Sequence, residues 1–493
     1  MRKLGVIGMV LAWTAATVPA WAAPVDLTIL HTNDTHDHLL PYETRQGKDL
    51  GGIARRATLI SQLKGSLDRV LVLDAGDTFQ GTPLFNFFAG EPDYLTMDQA
   101  GYDATTVGNH DLDNGLDNLK KQAANRNFKL ISTNLLDPRT GKPIFVGTHV
   151  FERGGLKVGV FGVLGLDALG AVAKQNQKGF TFVSPLKVAQ ETAAELRKRS
   201  DLVVMLSHSG LDEDMALAGK VKGIDVIVGG HSHTKLDQPK EVVNGDWRTL
   251  VVQGFQWGEY VGKLDLKVDG GKVVSYEGKL LPVTKDIADD RKVAETVKAY
   301  NDKIEERMAV VIGDAPKGLS ADGKYKKDCE LGNWTADIMR ERAKAEIGIM
   351  NAGGLRAALQ PGPIKVGDVF TIFPFDNALV TLDVDGAVLK GFIDKAAGIP
   401  GRAAQLQYSG VTFAVEEGKA SDIRVNGVPL DPKRYYKVAT IDYLAQGNDG
   451  YEAFATGKNY RPTGVVLRDV ALEAIKAHPT VVPPATGRIR VAN

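Results

Sequence analysis

Five segments of the chain share one form, an apolar run that ends in a cluster of Asp, His or Asn side chains. In chain order they are TILHTNDTHDH, LVLDAGDT, TTVGNHDLD, VVMLSHSG and VIVGGHSH. Apolar runs of this kind are typical of buried strands, and loops at the carboxyl ends of strands line the ligand crevice in α/β sheets. We therefore expect these polar side chains to converge at one site.

Seven of these side chains offer oxygen or nitrogen ligands that suit a divalent cation. They are Asp34, His36, Asp77, Asn109, His208, His231 and His233. Carboxylate, amide and imidazole ligands without thiolate favour zinc, manganese, cobalt or iron. Seven ligands are too many for one tetrahedral ion and fit two ions if one carboxylate, best Asp77, bridges them. Such a pair of cations would attract a phosphate dianion and acidify a bound water.

This prediction depends on five such segments occurring in one chain, because a single polar residue after a strand usually only forms part of a turn. Four other histidines are interpreted as packing or surface residues: His31, His38, His149 and His478. The one cysteine, Cys329, excludes an internal disulfide and a cysteine-based zinc site.

Composition narrows the class of protein. The 493 residues include 60 Lys and Arg and 60 Asp and Glu, so the net charge is zero. We expect no nucleic-acid polymer as a partner, because binding a phosphate backbone needs clustered positive charge. A hydrophobic content of 43% with 24% charged residues is typical of a folded globular protein.

Patterning divides the chain into two blocks of the α/β class. Residues 25–283 alternate buried strands with helices and carry the five polar segments. Residues 284–310 are expected to form a linker helix with one apolar stripe. The stripe consists of Val293, Val297, Tyr300, Ile304 and Met308. Residues 311–493 form the second α/β block. Helices are predicted within it over 330–345, 386–397 and 464–477.

Residues 1–22 have the features of a secretory signal peptide. A basic start, an apolar core and the small-residue pattern A-W-A at residues 20–22 predict cleavage after Ala22. The alternative, a transmembrane anchor, is disfavoured because two threonines and a proline interrupt the apolar run. We expect a periplasmic or secreted protein without a membrane anchor, present as a monomer or weak dimer.

The ordered motifs NDTHDH, GDT, GNHDLDNG, SHSG and GGHSH resemble those of the metallophosphoesterase (calcineurin-like) superfamily. In the second block, MNAGGLR, FPFDN and DYLAQGNDGY resemble the C-terminal domain of exported 5′-nucleotidases and UDP-sugar hydrolases. The resemblance implies a metal domain built as a sandwich of two mixed sheets flanked by helices. It further implies a linker helix and a smaller α/β substrate-recognition domain.

The resemblance assigns the ligands to two metals. One metal would bind Asp34, His36, Asp77 and His233. The other would bind Asp77, Asn109, His208 and His231. Some family members have Gln where this chain has His233. His110 and Asp113 resemble the family's catalytic dyad; from the residues alone, Asp113 is placed either to hold the imidazole in its cationic form or to cap a helix.

A substrate site is implied in the second block. Its residues are Asn351, Gly353, Arg356, Phe375, Asn377, Tyr443, Asp449 and Lys327. The two aromatic rings would clamp a nucleobase, while the two amides and Asp449 would contact base or ribose. Arg356 would grip the phosphate, and Lys327 lies near a place where the family often has arginine. From the residues alone, core packing is the alternative for either aromatic ring.

The implied reaction is metal-dependent hydrolysis of nucleoside 5′-monophosphates to nucleoside and phosphate, by a hydroxide held between two metals such as zinc, manganese or cobalt. UDP-sugars and nucleoside di- and triphosphates are further implied substrates. A rival is a 2′,3′-cyclic-nucleotide 2′-phosphodiesterase with 3′-nucleotidase activity, whose members tend to have Asn in place of Asp113. Others are a thiosulfohydrolase, which the aromatic clamp disfavours, and a non-catalytic nucleotide-binding protein, which has no need of His110.

Overall fold

The computed structural model describes residues 24–42 and 49–491. Over these ranges the chain forms two α/β blocks joined by a helix, which confirms the predicted fold class. The predicted signal peptide, residues 1–22, lies outside the described residues. None of the described helices is long and apolar enough to cross a membrane.

Two six-stranded mixed sheets form the first block. The first sheet contains, in spatial order, Lys272–Pro282, Tyr260–Asp269, Val25–Thr32, Val70–Asp74, Ala104–Thr105 and Lys129–Leu130. The second contains Lys240–Asn244, Trp247–Val252, Val226–Gly229, Leu202–His208, Leu156–Leu164 and Thr148–Arg153. A short ribbon pairs Leu135–Leu136 with Thr181–Phe182. In each large sheet, four neighbouring strands run parallel and the remaining pairings are antiparallel.

The two sheets pack face to face across an apolar layer. Ile29 and Leu73 of the first sheet belong to the same buried cluster as Val160 and Val204 of the second. Two further apolar clusters lie between the sheets' outer faces and the helices. Those helices are Ile53–Ser66, Pro83–Phe88, Glu91–Gln99, Gly115–Ala123, Leu166–Ala171, Pro185–Leu196 and Leu211–Ala218. Because both faces of each sheet are covered at its centre, central strands such as Val70–Asp74 and Leu202–His208 read as continuous apolar runs.

The linker helix spans Arg291–Met308 and begins later than the charged segment at 284 suggests. Its start is set by Asp290, whose side chain accepts a hydrogen bond from the backbone N–H of Val293 at 3.0 Å. The apolar stripe is buried against helices of the first block, and Phe370 of the second block joins the same cluster. The linker helix therefore packs on both blocks.

The second block is built on two sheets and a ribbon. The five-stranded sheet contains Leu406–Ser409, Ile347–Asn351, Tyr435–Ile441, Ala378–Asp385 and Lys458–Val466. The four-stranded sheet contains Val428–Pro429, Lys419–Val425, Val411–Glu416 and Ile489–Val491. The ribbon pairs Val311–Ala315 with Gly362–Lys365. The helices are Glu330–Arg342, Val366–Ile372, Gly386–Gly398, Asp442–Ala445 and Leu467–Ala477, so the three predicted helices are confirmed.

Candidate active site

The five polar segments meet where the two sheets of the first block end. In the first sheet, Asp34, Asp77 and Asn109 follow three neighbouring parallel strands. In the second sheet, His208 ends one strand, and the GGHSH segment follows the parallel strand beside it. Since parallel strands present their carboxyl ends at one edge, the loops converge. Two groups of candidate metal ligands result: Asp34, His36 and His233, and Asp77, His208 and His231.

Several of these residues have unusual backbone conformations. Positive φ values occur at five of the seven predicted metal ligands: Asp34 (52°), His36 (48°), Asp77 (54°), His231 (74°) and His233 (50°). Such conformations are strained for residues with a side chain and persist where the surroundings hold them in place. The neighbouring Gly108 is required for space, because a Cβ there would lie 2.2 Å from Asp77 Oδ1.

The first group holds two imidazole nitrogens face to face. His36 Nε2 and His233 Nε2 are 3.0 Å apart, and Asp34 Oδ1 lies 3.4 Å from His233 Nε2. The Nδ1 of His36 is 2.9 Å from the carbonyl oxygen of Gln80, and that of His233 is 2.5 Å from Gln256 Oε1. Both Nδ1 atoms therefore donate to oxygen, which leaves two Nε2 lone pairs facing each other.

A cation fits this arrangement. Burial, followed by the charge of Arg356, holds the pKa of His36 well below its usual range, so the imidazole stays neutral. The Nε2 lone pairs of His36 and His233 and the carboxylate of Asp34, directed at one point, repel each other unless positive charge lies between them. The donor set therefore fits a divalent ion with nitrogen and oxygen ligands.

Asp77 of the second group also lies close to the first group. Asp77 Oδ2 is 3.1 Å from His208 Nε2 and 3.8 Å from His36 Nε2, so it lies between the groups. Asn109 Oδ1 is 3.2 Å from His208 Nε2, and His208 Nδ1 donates to the Ala75 carbonyl at 2.7 Å. Burial opposes a charged His208, but the Asp77 carboxylate outweighs it and raises the pKa of His208 to about 10. The second group thus also attracts positive charge.

Asp111, which the sequence analysis did not single out, ties two of the ligand loops together. Its Oδ2 accepts the backbone N–H groups of Asp77 and Gly108 at 3.1 and 2.7 Å. Its Oδ1 accepts those of Thr78 and Phe79 at 3.0 and 3.2 Å. One buried carboxylate therefore satisfies four backbone donors and fixes the loop that carries Asp77 against the loop that carries Asn109.

His110 and Asp113 are paired beside these groups. His110 Nδ1 lies 2.8 Å from Asp113 Oδ2, and the backbone N–H of His110 donates to Asp77 Oδ1 at 2.7 Å. Burial lowers the pKa of His110, but the Asp113 and Asp77 carboxylates outweigh it, so the net shift is upward. The His110 ring is 5.5 Å from the Phe375 ring of the second block.

A cavity of about 1500 Å³ joins the two groups to the second block. Seven of the eight predicted substrate residues line it: Asn351, Gly353, Arg356, Phe375, Asn377, Tyr443 and Asp449. They come together because Asn351 ends one strand and Tyr443 follows its parallel neighbour. Arg356 Nη2 reaches to 3.3 Å from His36 Nε2, which places a guanidinium directly above the first group.

Polar contacts organise the second-block side of the cavity. Asp449 accepts hydrogen bonds from the Tyr443 hydroxyl and from Asn351 Nδ2, both at 2.8 Å. The Tyr443 hydroxyl also lies 3.2 Å from the carbonyl oxygen of Ala171 in the first block. Asn377 Nδ2 donates to Asp442 at 3.3 Å. The ring of Tyr443 is therefore held in place from both blocks.

Lys327 is the exception among the predicted substrate residues. The structure places it at the exposed surface outside the cavity lining, while Lys324 and Tyr325 of the same segment face the cavity. The turn at Gly323 decides this, because Lys324 Nζ turns back to donate to the Leu355 carbonyl and lies 4.6 Å from the Tyr325 ring. Of the lysines in this segment, Lys324 and not Lys327 therefore lines the cavity.

Two other residues near the ligands escaped the sequence analysis. Asp167 Oδ2 lies 3.3 Å from His231 Nε2, and Asp167 follows the apolar run GVFGVLG, so the signal used for the other segments was present there too. Gln256, which holds His233, follows the apolar run LVV at residues 250–252, but Gln is not among the side chain types that define the five segments. Of the histidines interpreted as packing residues, His31 and His38 are buried, and His38 stacks on Trp257.

Comparison with known proteins identifies the family. The calcineurin-like phosphoesterase model matches residues 27–235, and the 5′-nucleotidase C-terminal domain model matches residues 311–456. The 5′-nucleotidase of Vibrio cholerae is 30% identical over 94% of this chain and 93% of its own length. The chain belongs to the 5′-nucleotidase family. It is thus an enzyme, a phosphoric monoester hydrolase, and its residues 27–235 form a metallophosphoesterase domain.

Solved structures agree with this membership in the 5′-nucleotidase family. The crystal structure of a 5′-nucleotidase precursor from Thermus thermophilus superposes with a TM-score of 0.89 at 32% identity, over 95% of this chain and 100% of that one. A sulfate thiohydrolase from the same organism, SoxB, has a TM-score of 0.81 at 19% identity, over 95% and 97%. The second similarity shows the shared fold alone.

Replacing Asp111 tests whether it holds the ligand loops together. In Asp111→Asn, an N–H₂ group replaces one acceptor oxygen and leaves two buried backbone N–H groups unpaired, each at a cost of about 1–3 kcal/mol. We expect the urea midpoint for unfolding of the first block, measured with chelator present, to fall clearly. Asp117→Asn, at an exposed position of the next helix, is the control. Equal midpoints for the two variants would contradict the role given to Asp111.

Proposed function

We propose that the chain hydrolyses nucleoside 5′-monophosphates to nucleoside and phosphate in the cavity between its two blocks. The observation that carries this proposal is the position of the His110–Asp113 pair. It lies between the two groups of metal-type ligands and the aromatic side of the cavity, with the rings of His110 and Phe375 5.5 Å apart. Membership of the 5′-nucleotidase family supports it.

The proposed cofactor is a pair of divalent ions, with zinc, manganese or cobalt best suited to the ligands. One ion would be held by Asp34, His36, Asp77 and His233. The other would be held by Asp77, Asn109, His208 and His231. The position of Asp77 Oδ2 between His208 and His36 supports a bridging role. Bound there, the ions supply Lewis-acid activation of the phosphate and of the attacking water.

The protein's own groups then orient the phosphate and move a proton. Asp113 favours the cationic form of His110, so His110 Nε2 donates a hydrogen bond to a phosphate oxygen or a proton to the departing 5′-oxygen. Arg356, 3.3 Å from His36, adds a planar guanidinium that binds two phosphate oxygens at once. Both groups stabilise negative charge that builds up during the reaction.

Recognition of the nucleoside falls to the second block. Phe375 and Tyr443 are proposed to stack on the base, and such stacking is worth about 1–3 kcal/mol and tolerates different bases. Asn351, Asn377 and Asp449 are proposed to contact base or ribose, and the backbone at Gly353 lines the same wall. We therefore expect activity on purine and pyrimidine nucleotides alike.

The setting of the enzyme is part of the proposal. Residues 1–22 are proposed as a signal peptide that directs the protein to the periplasm or outside the cell. The partners are small-molecule nucleotides, and we propose a monomer or weak dimer. UDP-sugars are proposed as further substrates.

Phosphate release from four substrates tests the function. We expect release from AMP to exceed that from 3′-AMP and 2′,3′-cyclic AMP, and to stop when a chelator removes the metals. Release from UDP-glucose after treatment with an added phosphatase would extend the range to UDP-sugars. Preference for the cyclic nucleotide would instead favour the phosphodiesterase alternative. Binding of AMP without release of phosphate from any substrate would indicate a nucleotide-binding protein.

Removing the His110 side chain tests its proton role. We expect His110→Ala to lower kcat for AMP by about 100-fold to 10,000-fold, the range for loss of a general acid. Metal content should stay unchanged, because the backbone N–H of His110, and not its ring, contacts Asp77. His149→Ala, which removes an imidazole that packs against Phe151, is the control. Unchanged kcat in His110→Ala would rule out the assignment.

Two lysines three residues apart test which one contacts the phosphate. Lys324→Met should raise KM for AMP and weaken inhibition by inorganic phosphate by about 10-fold or more, since hydrogen bonds to charged groups are worth about 1.5–3 kcal/mol. Lys327→Met should leave both constants unchanged, because Lys327 is exposed outside the cavity. The opposite pattern would indicate that Lys327, and not Lys324, contacts the phosphate.

A further inference from the structure

One carboxylate outside the seven proposed ligands touches them directly. Asp167 lies in the helix Leu166–Ala171, which follows the strand Leu156–Leu164 and lines the cavity. Its Oδ2 is 3.3 Å from Nε2 of His231. The side chain of Asp167 is 68% exposed and that of His231 is 16% exposed. The contact therefore lies at the rim of the cavity, where solvent and substrate reach it.

This contact differs from those of the other three histidines proposed as ligands. His36, His208 and His233 each use Nδ1 to donate to a neutral oxygen, on Gln80, Ala75 and Gln256 respectively. His231 instead uses Nε2, and its partner is a carboxylate. Since Asp167 occupies Nε2, the nitrogen of His231 that remains for the second group is Nδ1. Among the four histidines proposed as ligands, His231 is thus the one whose second ring nitrogen faces a carboxylate.

A carboxylate in this position has a known physical effect. By accepting the N–H of an imidazole it fixes the tautomer and ring orientation, and it makes the other nitrogen a stronger ligand. The ring of His231 is more exposed than those of His36 and His208, so less packing holds it in place. A free ring at the rim would otherwise populate other rotamers and lose affinity for a metal.

We propose that Asp167 is a positioning residue that orients His231 and sets the metal affinity of the second group, and only of that group. The inference rests on the two-metal assignment of the proposed function. Asp167 itself is proposed neither as a metal ligand nor as a group that touches the reacting atoms.

The helix that carries Asp167 also contacts the second block. The carbonyl oxygen of Ala171 lies 3.2 Å from the Tyr443 hydroxyl, and the backbone N–H of Leu166 donates to Glu213 at 3.0 Å. The helix is therefore anchored at both ends, so Asp167 is presented to His231 by a fixed backbone. This one short helix therefore contacts both the second group, through Asp167, and Tyr443 of the second block, through Ala171.

Metal titration of the stripped protein tests the proposal without reference to activity. We expect calorimetric titration of wild type with Mn²⁺ to resolve two sites. In Asp167→Ala one site should keep its affinity and the other should weaken by about 10-fold to 100-fold, the usual effect of losing such a partner. Asp167→Glu should restore part of the loss. With Co²⁺ as probe, the visible absorption of only one of the two ions should change.

The matched control is Asp212→Asn. Asp212 also lines the cavity and is 90% exposed, but it pairs with Arg402 at 3.7 Å. We expect its two metal affinities to equal those of wild type. The proposal is overturned if Asp167→Ala keeps both affinities, or if both weaken equally together with a lower melting temperature. If wild-type protein itself binds fewer than two ions, the proposed function fails and not the role of Asp167 alone.

Discussion

Electrostatic repulsion among closely packed ligands governs the architecture of this site. Two imidazole lone pairs face each other at 3.0 Å, and two buried carboxylates lie beside them. Burial keeps His36 neutral, whereas the carboxylates favour a proton on His208, so the site as a whole attracts positive charge. The proposed metal ions would supply that charge, and the rest of the fold serves to hold the ligands together until they do.

The backbone conformations of the proposed ligands reduce the stability of the fold, and the apolar core compensates for this loss. Left-handed backbone at residues other than glycine costs about 1–3 kcal/mol each, and five of the seven proposed ligands adopt it. The apolar layer between the two sheets provides stability against this strain. Asp111 and Asp167 act closer to the site, the first through four backbone N–H groups and the second through one imidazole. Pre-organisation of the ligands thus depends on acidic residues that are not themselves proposed as ligands.

The chemistry and the recognition come from different blocks. The first block supplies the proposed metal ligands and His110, while the second supplies Arg356 and the rings of Phe375 and Tyr443. Arg356 approaches His36 and Phe375 approaches His110 across the cavity. In the proposed reaction, a phosphate and its attached nucleoside would therefore be contacted from opposite sides, and neither block alone has all the groups that this reaction needs.

The sequence by itself determined the α/β class, the helices near residues 330, 386 and 467, and the set of polar residues that follow buried strands, because burial and strand direction depend on local pattern. It also gave the family, through motifs in a fixed order. Only the tertiary structure decided that Lys324 and not Lys327 lines the cavity, that Asp111 joins two loops, and that Gln256 and Asp167 hold His233 and His231. The physical reason is that a side chain's hydrogen-bond partner is chosen by distance in space, and residues far apart in the chain become neighbours only when the loops have folded.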